Sequence, residues 1–377
     1  MSAKVTDVRV AAYTVPTDAP EGDGTLTWDR TTIVVVHAHG GGQVGTGYTY
    51  APRAAVTVID DLLAPVVMGS DALEVEGTWQ AMVRAIRNAG RHGLVGMAIS
   101  AVDIALWDLA ARILDKPLTA LWTDPATQRT PGDSADAAFP PDAVEIYGSG
   151  GFTTYDDRQL RRQLARWLEL GCDKVKIKIA EDWGSHRERD LDRTRVAQQV
   201  VGDHATVFVD ANGGYTIEQA CGVGDFLDTL GVTWFEEPVS SEDHEGLSIV
   251  RDRVRADVAA GEYAADLADC LHLAPHVDCL QIDATRCGGY TEWRRIASHP
   301  TLTEIELSGH CAPHITLPAA ATTARLRHLE YFHDHERIER LLFDGCPDPV
   351  GGTLRSADGP GHGLTLRATD AEGYRVA

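Results

Sequence analysis

The chain has 377 residues, 44% of them hydrophobic, and a formal net charge of −22. That length predicts two domains, or one barrel with an extra domain. So acidic a chain lacks the basic stripe that nucleic acid requires, and it repels an anionic substrate unless a local cation or metal inverts the field. No apolar run reads as long enough to span a membrane, and the start MSAKVTDVRV lacks the apolar stretch of a signal peptide. Seven scattered cysteines with no C-x-x-C predict reduced thiols in a cytoplasmic protein, not disulfides or structural zinc.

In chain order, residues 1–130 read as an α+β unit. VTDVRVAAYTV, TTIVVVHAH and GQVGTGYTY are predicted strands, with turns at Gly40, Gly41 and Gly42. PTDAPEGDGTLTW, polar and rich in Gly and Pro, reads as a loop that carries Trp28. MAISAVDIALWDLAARIL is apolar on most faces and predicts a buried helix. TDPATQRTPGDSADAAFPPD is the predicted linker.

From residue 143 strands alternate with amphipathic segments. AVEIYGS, DKVKIKI, ATVFVD, VTWFEE, DVAAGE, CLQID, TEIELS and HLEYF make eight βα units, the count of a closed (β/α) barrel. A doubly wound open sheet is the competing fold, but no G-x-G-x-x-G follows a strand and opens a helix. The predicted barrel domain spans 131–344, and residues from about 345 to 377 complete the first domain.

Catalytic groups of such barrels sit at the C-terminal ends of the strands. Those ends carry Asp210, Glu236 and Glu262, spaced 26 residues and then 26 again. One spacing is one βα repeat, so three carboxylates should converge at one mouth. Any one of them could be a helix cap or a solvated acid; three at matched positions predict an all-oxygen site for Mg²⁺, or Mn²⁺. Glu237 should point to the other face, and Asn212, two past Asp210, either supports the metal shell, touches substrate or only makes the N-G turn.

Only five lysines occur, and Lys174, Lys176 and Lys178 are three of them. They alternate with Val175, Ile177 and Ile179, which fits either a solvated strand face or an interior row beside the metal. Lys, unlike Arg, can give up its proton. A base near neutral pH would need Lys178 lowered by about 3 units from about 10.4. Across the barrel Asp283 and His310 end consecutive strands 27 residues apart. An Asp on the second ring nitrogen would fix the tautomer of His310 and raise its basicity. His314 is a competitor, and Glu330 could hydrogen-bond an enolate oxygen if protonated.

V-K-I-K at Lys176 and Lys178, D-A-N at Asp210, F-E-E-P at Glu236, A-G-E at Glu262, Q-I-D at Asp283, S-G-H at His310 and L-E-Y at Glu330 together resemble the mandelate racemase branch of the enolase superfamily. The resemblance covers nearly the whole chain, including GMAISAVDIALWDLAARILDKPL. It implies a modified TIM (β/α) barrel with an N-terminal α+β capping domain, in a homo-oligomer that takes a small carboxylate substrate. It also implies Mg²⁺-assisted removal of the proton next to the substrate carboxylate, with the enediolate held by the metal, Lys176 and Glu330. D-A-N stands where some acid-sugar dehydratases have a His two residues after the Asp, which speaks against those subgroups.

The leading expectation is an acid-sugar dehydratase in which Lys178 or His310 takes the α-proton and His310, with Asp283, protonates the departing hydroxyl. The same groups could run a two-base racemase or epimerase, or a cycloisomerase of a lactone or anhydro-sugar acid; a barrel that binds a sugar acid without turnover is the non-enzymatic alternative. Trp28 and its loop are expected over the mouth as substrate contacts, with Lys176, Asn212 and Glu330.

Overall fold

The computed structural model describes residues 3–123 and 143–377. The predicted linker, with the boundary at 130, lies outside the described residues except for Thr123. The first unit is a three-stranded antiparallel meander, β1 (Val5–Gly22), β2 (Thr27–Gly40) and β3 (Gln43–Tyr50). Alternate residues of the central strand enter two different cores. Ile33 and Val35 join Tyr13, Val15 and Tyr48 against the second unit, while Val34 and Val36 join Ala12 and Ala38 against the first unit's own helices. That explains the unbroken IVVV run, since a strand covered on both faces has no polar side.

The Leu94–Ile113 helix lies directly on β3. A Cβ on Gly45 or Gly47 would stand 2.1 or 2.2 Å from the carbonyl oxygens of Ala105 and Ala101, so only glycine permits this approach. Contrary to the expectation that no run is long enough, this 20-residue helix has the length and apolarity of a membrane span. It is 78% buried within the protein, as a core helix is.

The second correction concerns residues 16–28, expected as a loop. The two strands continue through it as a hairpin arm, with Glu21 opposite Trp28 and Gly22 opposite Thr27 after an irregularity between Pro16 and Glu21. β1 is an edge strand, where proline's missing N–H costs no ladder bond. Asp23 closes the tip, its Oδ1 accepting from the backbone of Thr25 (2.6 Å) and Leu26 (2.8 Å).

Eight parallel strands make the barrel: β4 (Val144–Gly150), β5 (Lys174–Lys178), β6 (Thr206–Asp210), β7 (Trp234–Glu236), β8 (Asp257–Ala260), β9 (Cys279–Ile282), β10 (Glu306–Gly309) and β11 (Leu326–Phe332). β11 pairs with β4, which closes the ring. All eight fall where the sequence places them. Val175, Ile177 and Ile179 join the core shared with the surrounding helices, while Tyr147, Phe208, Trp234, Ala259 and Cys279 form a separate buried cluster. After the barrel the chain returns to the first unit. Tyr374 and Ala377 accept from the backbone of Thr14 (2.8 Å) and Ala12 (3.0 Å).

Candidate active site

The barrel register aligns the site. Lys178 lies opposite Asp210, and Asp210 opposite Glu236, so three neighbouring strands end in one row of ionisable groups. Glu262 follows two residues after β8. One oxygen from each of Asp210, Glu236 and Glu262 lies within 4.8 Å of the others, and all three residues are buried. Burial and then Asp210 push the Glu236 carboxyl up to about 8 against the pull of Lys176. Glu262 Oε2 is buried and pairs with His310 Nε2 at 3.1 Å. A dry carboxylate oxygen beside two more acids, one of them held partly protonated, is a donor set that fits a hard divalent cation.

The three lysines of β5 sit at three depths. Lys174 is at the start of the strand, farthest from the mouth, partly exposed, and pairs with Glu145 and Asp173. Lys176 is sealed, bonded to Glu236, 2.8 Å from Glu330 Oε1 and 3.6 Å from Asp210 Oδ2. Lys178, nearest the mouth, pairs with Asp210, and its Nζ stands 5.8 Å from the Phe332 ring. Burial pulls the Lys178 amine down, but Asp210, with help from Glu330 and Glu236, more than offsets it and holds the amine above its ordinary value. The expected depression is therefore not what the protein's own groups produce. Two like cations on one strand are outweighed by acids at contact distance.

His310 Nδ1 lies 2.8 Å from Asp283 Oδ2, and Thr285 donates to the other Asp283 oxygen through its backbone N–H (2.6 Å) and its Oγ1 (2.7 Å). Burial pulls the imidazole down, while Cys311, Glu262, Glu330 and the bond to Asp283 hold it well above its ordinary value. The acids around His310 thus favour its protonated form. His314 is removed from this arrangement. Its Nδ1 faces Glu339 Oε2 (2.6 Å) and its Nε2 the Pro347 carbonyl (3.2 Å), so both nitrogens are used structurally. Glu330 accepts from the Cys311 backbone (3.0 Å). Burial pushes its carboxyl up, but Lys176, His310 and Lys178 overcome that and hold it below the usual range. It is ionised, and the donor role conditional on its protonation does not match these surroundings.

Asn212 adopts φ 45°, donates its backbone N–H to Asp210 Oδ1 (2.8 Å), and leaves its own buried Oδ1 without a partner. Trp28 hangs from the hairpin arm, its indole donating to Glu21 Oε2 (2.9 Å) and its ring edge-on to Phe152 at 5.7 Å. The arm itself rests on the mouth. A Cβ on Gly24 would stand 2.4 Å from the Ala211 carbonyl, and Gly22 accepts from the backbone of Thr153 (2.8 Å).

Four residues belong to the site that sequence reasoning missed or discounted. Glu237 is buried with an unpartnered oxygen, and Glu262, Asp210 and Glu236 are among the causes that push its carboxyl up after burial itself. Its φ of 37° departs from strand geometry, so the alternation rule does not apply to it. Arg286 joins the two halves, 3.0 Å from Glu262 and 3.4 Å from Asp283. Gln281 and Trp234 both donate to Glu236 Oε2, at 2.9 and 2.8 Å. The last two stand inside the Q-I-D and W-F-E stretches, the one signal available.

A capped, closed barrel with acids, lysines and a His–Asp pair at its mouth defines an enolase-like protein. The chain belongs to the mandelate racemase / muconate lactonizing enzyme family: residues 5–122 match that family's N-terminal domain, and residues 159–371 match the enolase C-terminal domain-like description. It is 28% identical over 372 residues to 3,6-anhydro-alpha-L-galactonate cycloisomerase of Streptomyces coelicolor, covering 95% of this chain and 96% of that one. It is also 28% identical over 345 residues to arabinonate dehydratase of Saccharolobus solfataricus, covering 89% and 88%. Among solved structures, a mandelate racemase/muconate lactonizing enzyme-like protein from Rubrobacter xylanophilus has a TM-score of 0.90 at 46% identity, covering 99% of this chain and 100% of that one. A racemase from Streptomyces coelicolor A3(2) with bound magnesium has a TM-score of 0.86 at 27% identity, over 99% and 100%.

Proposed function

We propose that this protein is a Mg²⁺-dependent acid-sugar dehydratase. It removes the proton on the carbon next to a substrate carboxylate, expels the β-hydroxyl as water, and releases a 2-keto-3-deoxy acid. The observation that carries the reading is the convergence, at one barrel mouth, of a lysine on β5, a carboxylate triad, and a His–Asp pair after β9 and β10.

Asp210, Glu236 and Glu262 would hold the Mg²⁺, with Asn212 and Glu237 as neighbouring oxygens. When bound, the ion supplies positive charge to these acids and to the substrate carboxylate, and so weakens the attraction that keeps Lys178 protonated. Lys176, fixed by Glu236 and Glu330, keeps its ammonium and offsets the negative charge that develops on the carboxylate as the α-proton leaves. Lys178 takes that α-proton. His310, charged and oriented by Asp283, gives a proton to the departing β-hydroxyl, so the C–O bond breaks with loss of water; the enol then takes a proton at the β-carbon and becomes the keto acid. Trp28 and the hairpin arm keep bulk water out.

A second reading keeps Lys178 and His310 in the same places. The relative that aligns over 95% of this chain is a cycloisomerase, and in that chemistry the β-leaving group is a ring oxygen instead of water. Both readings take the protein as a cytoplasmic homo-oligomer; seven free cysteines fit a reducing compartment. Incubating the protein with Mg²⁺ and a panel of acid sugars and their lactones and anhydro forms, in D₂O, tests the proposal. A 2-keto-3-deoxy acid is the expected product. That acid formed from an open-chain acid sugar with loss of water supports the dehydratase; the same kind of acid formed from an anhydro substrate without loss of water, or a lactone isomer, would establish the second reading, and deuterium at the α-carbon of recovered substrate without elimination would establish a racemase. Absence of both exchange and product across the panel would refute catalysis.

A further inference from the structure

The wall beyond the two proton-handling groups is apolar. Phe152, Tyr155, Cys311 and Phe332 form a buried cluster of their own, and Ala19 and Trp28 of the hairpin arm pack against it. This cluster touches both groups. The Phe332 ring is 5.8 Å from Lys178 Nζ, and Cys311 Sγ is 3.2 Å from His310 Nε2. Phe152 is its hub, edge-on to Trp28 (5.7 Å), Tyr155 (5.3 Å) and Phe332 (5.7 Å).

The ionisable groups behind this wall are neutral or already engaged. Glu21, wholly buried, takes the Trp28 indole N–H and leaves its other oxygen unpartnered. Asp18 and Asp334 are near enough to push the Glu21 carboxyl up, after the effect of burial itself. The cations here are committed elsewhere. Arg337 donates to Asp334 (2.6 Å) and to the Pro16 carbonyl (2.8 Å), and His333 faces Asp18 at 3.1 Å. Arg193, behind the loop that carries Phe152, gives its Nη donors to the carbonyls of Gly151, Phe152 and Tyr155, while its Nε and that of Arg337 are buried without a partner.

We propose that the substrate is a monocarboxylate whose end remote from the carboxylate is uncharged and of low polarity, and that the apolar wall of Trp28 and Phe332, backed by the buried Phe152, rejects sugar diacids. This rests on the function proposed above only in placing the substrate carboxylate at the acid triad and its α-carbon between Lys178 and His310. The remote end then meets that wall. A second carboxylate there would lose its water against aromatic rings, with Arg193, Arg337 and His333 behind the rings and already engaged with other groups. A cyclic ether or a plain alkyl end loses little by the same transfer.

The test is α-proton exchange and turnover in D₂O with Mg²⁺, on matched compounds: galactarate against galactonate and 3,6-anhydrogalactonate, and glucarate against gluconate. The expected kcat/KM for the best monoacid exceeds that of its diacid partner at least a hundred-fold, with the anhydro form above the open chain. A diacid within ten-fold of its partner overturns this inference and leaves the proposed function standing. No exchange or product with any compound overturns the proposed function, and this inference with it. Ala19→Arg adds a cation to the wall, and diacid turnover should rise at least ten-fold relative to monoacid; an unchanged ratio in a folded variant also overturns it. Trp28→Lys brings the same charge to the wall by a second route if melting shows that Ala19→Arg does not fold.

Discussion

Glu21→Gln should stabilise the protein, and increasingly so as pH rises. Burial, with Asp334 and Asp18 adding to it, pushes the Glu21 carboxyl from 4.5 up to about 9, although the Trp28 indole pulls the other way. At or below pH 4.5 the carboxyl is protonated in the folded and the unfolded chain, and it costs nothing. Between 4.5 and about 9 the unfolded chain releases the proton while the folded chain keeps it, so stability falls with rising pH until the folded group also ionises. At pH 7.5 the gap is about 3 units, a ceiling of about 4 kcal/mol. Partial relaxation around the site reduces this to roughly 2 kcal/mol. Glutamine preserves shape and offers an oxygen to the Trp28 N–H, but has no proton to lose. Melting of both proteins from pH 4.5 to 9 is the assay. The difference should be near zero at the acid end and widen steadily towards pH 9. A difference independent of pH would show that Glu21 is ionised when folded, and the account of the arm's electrostatics would fail.

Asp210→Ala should weaken Mn²⁺ binding at least a hundred-fold, read by electron paramagnetic resonance of free Mn²⁺; affinity within a few-fold of wild type would remove Asp210 from the metal site. Lys178→Arg should fold, keep its pairing with Asp210, and lose at least about a thousand-fold in kcat, because Arg holds charge but accepts no proton. Retention of a tenth of the activity would make the cations of β5 purely electrostatic. His310→Asn should stop product release while permitting α-proton exchange through Lys178, followed by NMR in D₂O; survival of both would take the proton donor away from His310.

What could be read from the chain differs by physical cause. The barrel strands and the matched acids were legible because parallel strands repeat at a nearly fixed interval and carry their functional groups at one end. Burial on both faces of β2 was equally plain from its apolar run. The hairpin arm was not legible. Its composition is that of a loop, and its strand character comes from pairing at a sheet edge and resting on the barrel mouth. Glu237 was assigned to the wrong face because the strand ends one residue earlier and the backbone turns to positive φ. Arg286 carried no signal at all, since a charge three residues after Asp283 could equally have faced solvent. The direction of the Lys178 shift depends on which acids touch it, which no spacing reveals.

The same contacts explain why β5 uses lysine three times for different ends. Lys174 is an ordinary cation at the start of the strand, between two partly exposed acids. Lys176 has a buried acid on each side and Tyr147 nearby, and although burial pulls its amine down, Glu236 and Glu330 hold it well above its ordinary value. Neutralising one neighbour leaves it the other, so its charge persists. Lys178 has a single close partner, Asp210, and an aromatic ring on another side. Once Asp210 is engaged by a cation, burial and the nearby Lys176 pull the Lys178 amine down against only the weaker influences of Glu330 and Glu236, and Glu236 is itself one of the proposed ligands. One strand thus carries a permanent charge and a switchable one two residues apart, and the difference lies in the number of acids each ammonium touches. Arginine could keep the charge at any of the three lysine positions of KVKIK, but only at Lys178, the fifth residue, does the proposed chemistry depend on a proton leaving.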